Sequence, residues 1–301
     1  MSDLLILDGG TGRELARIGA PFRQPEWSAL SLIEAPQFVS QVHAAYVAAG
    51  ADVITTNSYA VVPFHIGDAR FVSDGEALAA LAGTLARDVA DRAARPVRVA
   101  GSLPPVCGSY RADLFDIAAA RPVLATLVRG LRCYVDHWQA ETLSTIEEAE
   151  LVREILAEDP RPLWLSFTLE DAAVTPAAPR LRSGQPVEDA VAAAIRLKAA
   201  AVLFNCSQPE VMGDAVDAAQ AVLRRQGGQL RVGVYANAFP PQPKDAEANS
   251  GLDEIRADLT PKGYLAWAKD WQRRGASIIG GCCGIGPEHI SVLRGALRAA
   301  T

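Results

Sequence analysis

The chain has 301 residues, half of them apolar and 21% charged, with a formal net charge of −6. That length and apolar content can bury a sizeable core and exclude disorder as the main state, and the acidic balance, with no basic stripe interleaved with aromatics, argues against a nucleic-acid binder. No run of about 18 apolar residues is present to cross a membrane. Met1-Ser2-Asp3 offers no basic region ahead of the first apolar stretch, so neither a signal peptide nor a membrane partner is expected, and the protein reads as cytoplasmic.

In chain order, short apolar runs alternate with longer helical patterns. The strand candidates are Leu4–Leu7, Val53–Tyr59, Val97–Leu103, Tyr134–Ala140, Leu163–Leu169, Ala201–Cys206, Leu230–Ala236 and Ser277–Gly280. The clearest helix spans Pro36 to Gly50. Proline opens it, Phe38, Val39, Val42 and Tyr46 follow at helical spacing, and glycine closes it. Further helices are expected at Gly75–Arg95, Arg121–Cys133, Ile146–Glu158, Pro186–Ala199, Pro209–Arg225, Lys262–Arg274 and Pro287–Ala300. Eight strand–helix repeats in one chain predict an α/β fold, a (β/α)8 TIM barrel forming a single domain over residues 1–301. A doubly wound sheet fits less well, since Asp8-Gly9-Gly10-Thr11-Gly12 lacks the dinucleotide-binding glycine spacing. Two proline-rich stretches, Thr175–Pro186 and Pro240–Ser250, read as long loops rather than linkers.

In such a barrel the chemistry sits where strands end. Strand 1 ends in Asp8-Gly9-Gly10-Thr11, strand 2 in Thr55-Thr56-Asn57-Ser58-Tyr59, strand 4 in Glu141-Thr142 and strand 6 in Asn205-Cys206-Ser207. Strand 8 ends in Gly280-Gly281-Cys282-Cys283-Gly284. Lysine occurs only at positions 198, 244, 262 and 269, none at the end of an apolar run, so a Schiff-base enzyme is not expected. The five cysteines are no disulfide framework. Three of them, Cys206, Cys282 and Cys283, fall at strand ends, and three thiolates meeting at one point need a cation between them, which suggests zinc with an open fourth position. Adjacent strand residues face opposite ways, so Cys282 and Cys283 can share an ion only if the flanking glycines let the chain leave strand geometry. Other readings stand beside this one. Cys206 alone could be a small core residue, and the vicinal pair could be a redox couple or a strained disulfide. Cys107 and Cys133 read as packing residues, and His43, His65, His137 and His289 as structural.

The segments Leu7 to Leu15, Gly50 to Tyr59, Glu141-Thr142-Leu143, Phe204 to Ser207 and Gly280 to Gly284 together resemble the homocysteine S-methyltransferase family, in order and along essentially the whole chain. The resemblance implies a zinc-dependent barrel in which Cys206, Cys282 and Cys283 hold Zn2+ and the homocysteine sulfur completes its coordination. It implies that Asp8 and Glu141 bind the substrate ammonium, and that Gly9, Thr56 and Asn57 lie beside the amino acid. No further catalytic side chain is implied beyond the metal-bound substrate thiolate. Length and motif order resemble the branch that uses S-methylmethionine.

The loops after strands 3 and 7 depart from the family pattern. Here they read Gly101-Ser102-Leu103-Pro104-Pro105-Val106-Cys107-Gly108-Ser109-Tyr110 and Ala236-Asn237-Ala238-Phe239, and both bear on the methyl donor. The chemistry calls for a donor whose methyl sits on a positive centre, S-methylmethionine or S-adenosylmethionine, so that the leaving group departs neutral. Tyr59, Tyr110 and Phe239 are candidates to face that cation. A barrel that methylates a different thiol or selenol, or a module that binds thiol or metal without turnover, is the alternative. Nothing in the residues indicates an oligomeric state.

Overall fold

The computed structural model describes residues 4–172, 178–242 and 254–298. Its eight parallel strands are β1 (Leu5–Ile6), β2 (Val53–Thr55), β3 (Arg98–Leu103), β4 (His137–Leu143), β5 (Leu163–Phe167), β6 (Ala201–Asn205), β7 (Arg231–Tyr235) and β8 (Ile278–Ile279). Each pairs with its neighbour in sequence from β2 to β8, and β8 pairs with β1. The last seam closes through a parallel bridge between Leu7 and Val53, where the Asp8 N–H donates to the Val53 carbonyl at 3.1 Å. This is the expected (β/α)8 barrel.

The helices are α1 (Thr11–Arg17), α2 (Ser28–Glu34), α3 (Pro36–Ala49), α4 (Pro63–Ile66), α5 (Asp68–Asp91), α6 (Ile117–Leu131), α7 (Ile146–Ile155), α8 (Val187–Arg196), α9 (Pro209–Gln226), α10 (Pro261–Arg274) and α11 (Pro287–Arg298). Local chemistry sets their ends. Helix α3 starts at Pro36 and stops at Gly50, whose φ of 105° only glycine adopts cheaply. Helix α7 opens with a capping box between Thr145 and Glu148. No described helix is long and apolar enough to cross a membrane.

Helices α1, α2 and α4 are not among the expected elements, β2 ends at Thr55 rather than Tyr59, and two further elements begin elsewhere than expected. Helix α5 begins at Asp68 rather than Gly75, because Gly75 is an interior packing glycine: a Cβ there would lie 2.9 Å from the Phe71 ring. Strand β4 runs His137–Leu143 rather than Tyr134–Ala140, so Glu141 and Thr142 lie inside a strand and not after its end. The apolar run beginning at Tyr134 marks the turn into the strand. There Asp136 accepts from the Val99 N–H at 2.7 Å. The Pro240–Ser250 loop lies outside the described residues from position 243, the Thr175–Pro186 loop lies outside them through 177, and the end of the last helix at 299–300 is outside them too. The described part of the first loop forms a small hairpin, bridged at Leu169 to Leu181 and at Arg180 to Pro186.

Strand alternation divides the interior in two. Ile6, Ile54, Val99, Trp138, Leu165, Val202, Val234 and Ile279 pack outward into the layer shared with the helices. Leu7, Val53, Ala100, Trp164, Ala201, Leu203, Tyr235 and Ile278 form a second cluster inside the ring. Further along the same inward rows come Ser102, Glu141, Ser166 and Asn205, buried and polar. The lumen is therefore apolar at one level and hydrogen-bonding at the C-terminal ends of the strands, where a barrel places its chemistry.

Candidate metal and substrate site

A cavity of about 310 Å³ opens at the C-terminal ends of the strands. Its walls include Asp8, Gly9, Thr56, Asn57, Glu141, Cys206, Cys282 and Cys283, so every site residue expected from sequence borders one space.

The three cysteines reach it by two departures from strand geometry. Cys206 follows β6 directly with φ of 54°, a left-handed conformation that is costly for a non-glycine residue. Strand β8 stops at Ile279, and the chain turns through Gly280–Gly284 with Gly284 at φ 84°. The Cys282 N–H bonds the Ala236 carbonyl at 2.9 Å, and the Cys283 carbonyl accepts from the Ala238 N–H at 2.8 Å. This brings Cys282 Sγ to 3.1 Å from Cys206 Sγ, with all three sulfurs within 4.8 Å of one another. The glycines of the first motif make the turn fit. A Cβ on Gly10 would lie 2.6 Å from the Cys282 carbonyl oxygen, and one on Gly9 would lie 2.1 Å from that of Ile285.

Protons are shared unequally in this cluster. Hydrogen bonds from Cys206 and Cys282 hold the Cys283 thiol well below its ordinary range. The bonds to Cys206 and Cys283, with burial, push Cys282 well up. Cys206 also rises well above its usual value: its bond with Cys282 works downward, but the bond to Cys283 and burial outweigh it. Three thiolates cannot coexist there without a cation. The set of three sulfurs facing a cavity fits a soft divalent metal with one open position. Cys107 and Cys133 lie elsewhere, the first half-buried near Asp116 and the second exposed, as their packing role anticipated for Cys107 only.

The opposite wall carries two buried carboxylates. Asp8 accepts from the Thr55 N–H at 2.6 Å and the Thr55 hydroxyl at 3.1 Å. Burial raises its pKa to about 7 against the pull of those bonds. Glu141 accepts from the Ser102 hydroxyl at 2.5 Å and from Tyr235 at 3.2 Å, and Gln139 lies at 3.4 Å. Burial raises its pKa too. Two acids without a basic partner in their hydrogen-bond sets suit a cationic ligand group.

Thr56 and Asn57 serve partly as struts. The Thr56 hydroxyl accepts from the Ser102 N–H at 3.0 Å, and the Asn57 amide donates to the Ser28 carbonyl at 3.1 Å. Of the aromatic candidates, Tyr59 bonds Ser109, while Tyr110 and Phe239 already have a guanidinium over their rings, Arg182 at 4.9 Å and Arg13 at 5.2 Å.

Sequence reasoning missed Trp27, gave Asn205 only as part of a strand-end motif without a role, and read His65 as structural. Trp27 borders the cavity from the stretch between α1 and α2, which no motif marks. Asn205 accepts from the Thr142 N–H at 3.0 Å and the Ser166 hydroxyl at 2.8 Å, and donates to the Thr142 hydroxyl at 2.9 Å. It thereby pins Thr142 at φ 59°, where the β4–β5 register shifts. His65 lies in α4 and borders the cavity, with Nδ1 2.9 Å from the Pro25 carbonyl. His43 is buried, and burial lowers its pKa to about 4. His137 stacks on Trp164 inside the barrel, as a structural histidine would. Among the described residues, four of the five non-glycine positions with positive φ border this cavity: Trp27, Tyr110, Thr142 and Cys206. Such backbone costs about 1–3 kcal/mol per residue and concentrates at functional sites.

The chain matches the family model described as homocysteine S-methyltransferase over residues 5–297. It is 30% identical to the homocysteine S-methyltransferase of Escherichia coli (strain K12), covering 97% of this chain and 94% of that one. It is 29% identical to homocysteine S-methyltransferase 1 of Zea mays, over 98% and 95%. Among solved structures, the metallated form of the homocysteine methyltransferase MmuM from Escherichia coli superposes with a TM-score of 0.75 at 29% identity, covering 97% of this chain and 96% of that one.

Gly10 tests the packing of the cysteine turn. Gly10→Ala should lower stability in urea unfolding by roughly 2 kcal/mol, as overpacking does. Gly295→Ala, in α11 with nothing within 4 Å of the new methyl, should instead stabilise by about 0.5–1 kcal/mol.

Proposed function

The chain belongs to the homocysteine S-methyltransferase family, and from that premise we propose that it moves a methyl group from a sulfonium donor to homocysteine, with a zinc ion held by Cys206, Cys282 and Cys283. The observation that carries this reading is the pairing across one cavity of three sulfurs within 4.8 Å and two buried carboxylates. Zinc bound there would take the homocysteine sulfur as its fourth ligand and keep it deprotonated at neutral pH, where a free thiol is mostly protonated.

The chain's own residues do the rest. Asp8 and Glu141 receive the homocysteine ammonium through charge-assisted hydrogen bonds. Thr55 on one side and Ser102 with Tyr235 on the other fix the two carboxylates, so the amino acid enters in one orientation. Gly9 borders the amino acid, and Thr56 and Asn57 hold the β2 end of the wall around it. The homocysteine sulfur bonds to the donor's methyl carbon while the carbon–sulfonium bond breaks. The bonding pair stays on the donor sulfur, which departs as a neutral thioether. The protein's contribution to that step is alignment of sulfur, methyl and leaving group. Tyr59 and Trp27 supply aromatic wall for the sulfonium. S-methylmethionine fits this requirement as donor and S-adenosylmethionine is the second candidate.

The test is methionine formation by mass spectrometry from homocysteine and reduced, zinc-loaded protein, with S-methylmethionine, S-adenosylmethionine and betaine offered separately. Methionine is expected from a sulfonium and not from betaine, and Cys206→Ser should lose bound zinc and activity together. Full activity in metal-free Cys206→Ser protein would overturn the reading.

The pH dependence follows from Asp8. Its carboxyl titrates at about 7, and only the ionised form attracts an ammonium, so binding below pH 7 must expel a proton. Methionine affinity measured by calorimetry should rise about tenfold per pH unit up to pH 7 and level off above it. Asp8→Asn should bind weakly with a flattened profile.

A further inference from the structure

Behind the sulfur cluster lies a buried ion pair that the reaction as described does not use. Arg182 and Asp171 are both buried, with side chains 1% and 0% exposed and a separation of 3.6 Å. Replacing such a pair by apolar residues is often neutral or stabilising, so its presence calls for a reason other than stability. Its surroundings supply one. Asp171 accepts from the Gln208 N–H at 3.2 Å and the Gln242 N–H at 3.1 Å, and Arg182 donates to the Gln242 carbonyl at 2.9 Å. The pair thus joins the segments that follow β5, β6 and β7. The Arg182 guanidinium then lies over the Tyr110 ring, 4.9 Å from its centroid. The Tyr110 hydroxyl reaches Cys206 Sγ at 2.8 Å.

Tyr110 needs such support. It sits at φ 69°, a conformation a bulky side chain adopts only when its surroundings impose it, in a loop that departs from the family pattern. Its ring is held on one face by the guanidinium and at its tip by the sulfur. A planar cation suits that task better than an ammonium, because it stacks on an aromatic face while its edge still serves a carboxylate and a carbonyl.

We propose that Arg182 is a positioning residue for the metal site, acting through Tyr110: the stacked guanidinium holds the phenol so that its hydroxyl donates to Cys206 Sγ and draws electron density from that ligand. The inference rests on the reading of Cys206 as a metal ligand. Removing the hydrogen bond leaves the Cys206 side chain unfixed at its tip and its sulfur more electron-rich when a metal is bound. Loss of an outer-shell partner of a metal ligand typically weakens binding about 10–100-fold.

The test is titration of the reduced full-length protein with Co2+ against a competing chelator, recording the sulfur-to-cobalt charge-transfer band. The wild-type titration is the control for the metal reading: if the wild type binds no cobalt through sulfur, that reading fails. With the wild type binding, Tyr110→Phe and Arg182→Met should each weaken affinity about tenfold and move the band to longer wavelength. The double variant should lose no more than Tyr110→Phe alone, since both changes remove one interaction. Arg182→Lys keeps a charge for Asp171 but not the planar face, and should behave as Arg182→Met in both readouts while melting closer to wild type. Should Arg182→Met leave Asp171 unpaired and fail to fold, Asp171→Asn/Arg182→Met removes both charges and is compared in its place. Multiplicative losses in the double variant, or variants that melt lower yet keep wild-type affinity and band position, would overturn the proposal.

Discussion

Three sulfurs that must meet at one point set the terms for this barrel's catalytic face. Regular strands cannot deliver them, because Cys282 and Cys283 are adjacent and Cys206 comes from a strand two places away around the ring. The chain leaves strand geometry twice, at Cys206 with its left-handed backbone and in the turn after β8. Each departure needs something opposite it. The turn presses on Gly9 and Gly10, where any side chain would collide with the Ile285 and Cys282 carbonyls. Cys206 is preceded by Asn205, whose amide is fastened to Thr142 and Ser166. The double glycine after β1 and the asparagine ahead of Cys206 are thus parts of the cysteine cluster, although neither supplies a sulfur.

The same fastening explains how the cluster and the carboxylates stay in register. Asn205 ties β6 to the irregular stretch of β4 that carries Glu141, so one amide links the sulfur side of the cavity to its acidic side. Asp8 is fixed to β2 through Thr55, and its own carbonyl accepts from the Gly281 N–H at 2.9 Å in the cysteine turn. Glu141 lies within β4, and Asp8 and the three cysteines sit in short segments hydrogen-bonded to strand ends, as precise placement requires. The far end of the barrel serves stability: Asp52 accepts from the Ile6 N–H and pairs with Arg294 at 2.6 Å and Arg298 at 2.7 Å, joining the β1–β2 seam to the last helix.

Much of this was legible in the residues. Strand period, the prolines and glycines at helix ends and the strand-end cysteines led to the barrel and to the cluster. The misplacement of β4 has a physical cause. The apolar pattern that marks a strand fades where inward positions turn polar, and Gln139, Glu141 and Thr142 are polar because they border the cavity. Trp27 and the Arg182–Asp171 pair were invisible for another reason. They sit in stretches without periodicity or motif, and the meeting of the pair with Gln208, Gln242 and Tyr110 is decided by how loops pack on the finished barrel. Tyr110 could be named as an aromatic near the site, but not that Arg182 already covers its ring.

X-ray absorption at the zinc edge of the loaded protein, before and after addition of selenohomocysteine, reads directly whether these three cysteines hold a zinc ion open to one more sulfur. Three sulfurs at about 2.3 Å and a new zinc–selenium distance on adding the ligand are expected. A shell dominated by nitrogen or oxygen, or a spectrum that selenohomocysteine leaves unchanged, would contradict that coordination.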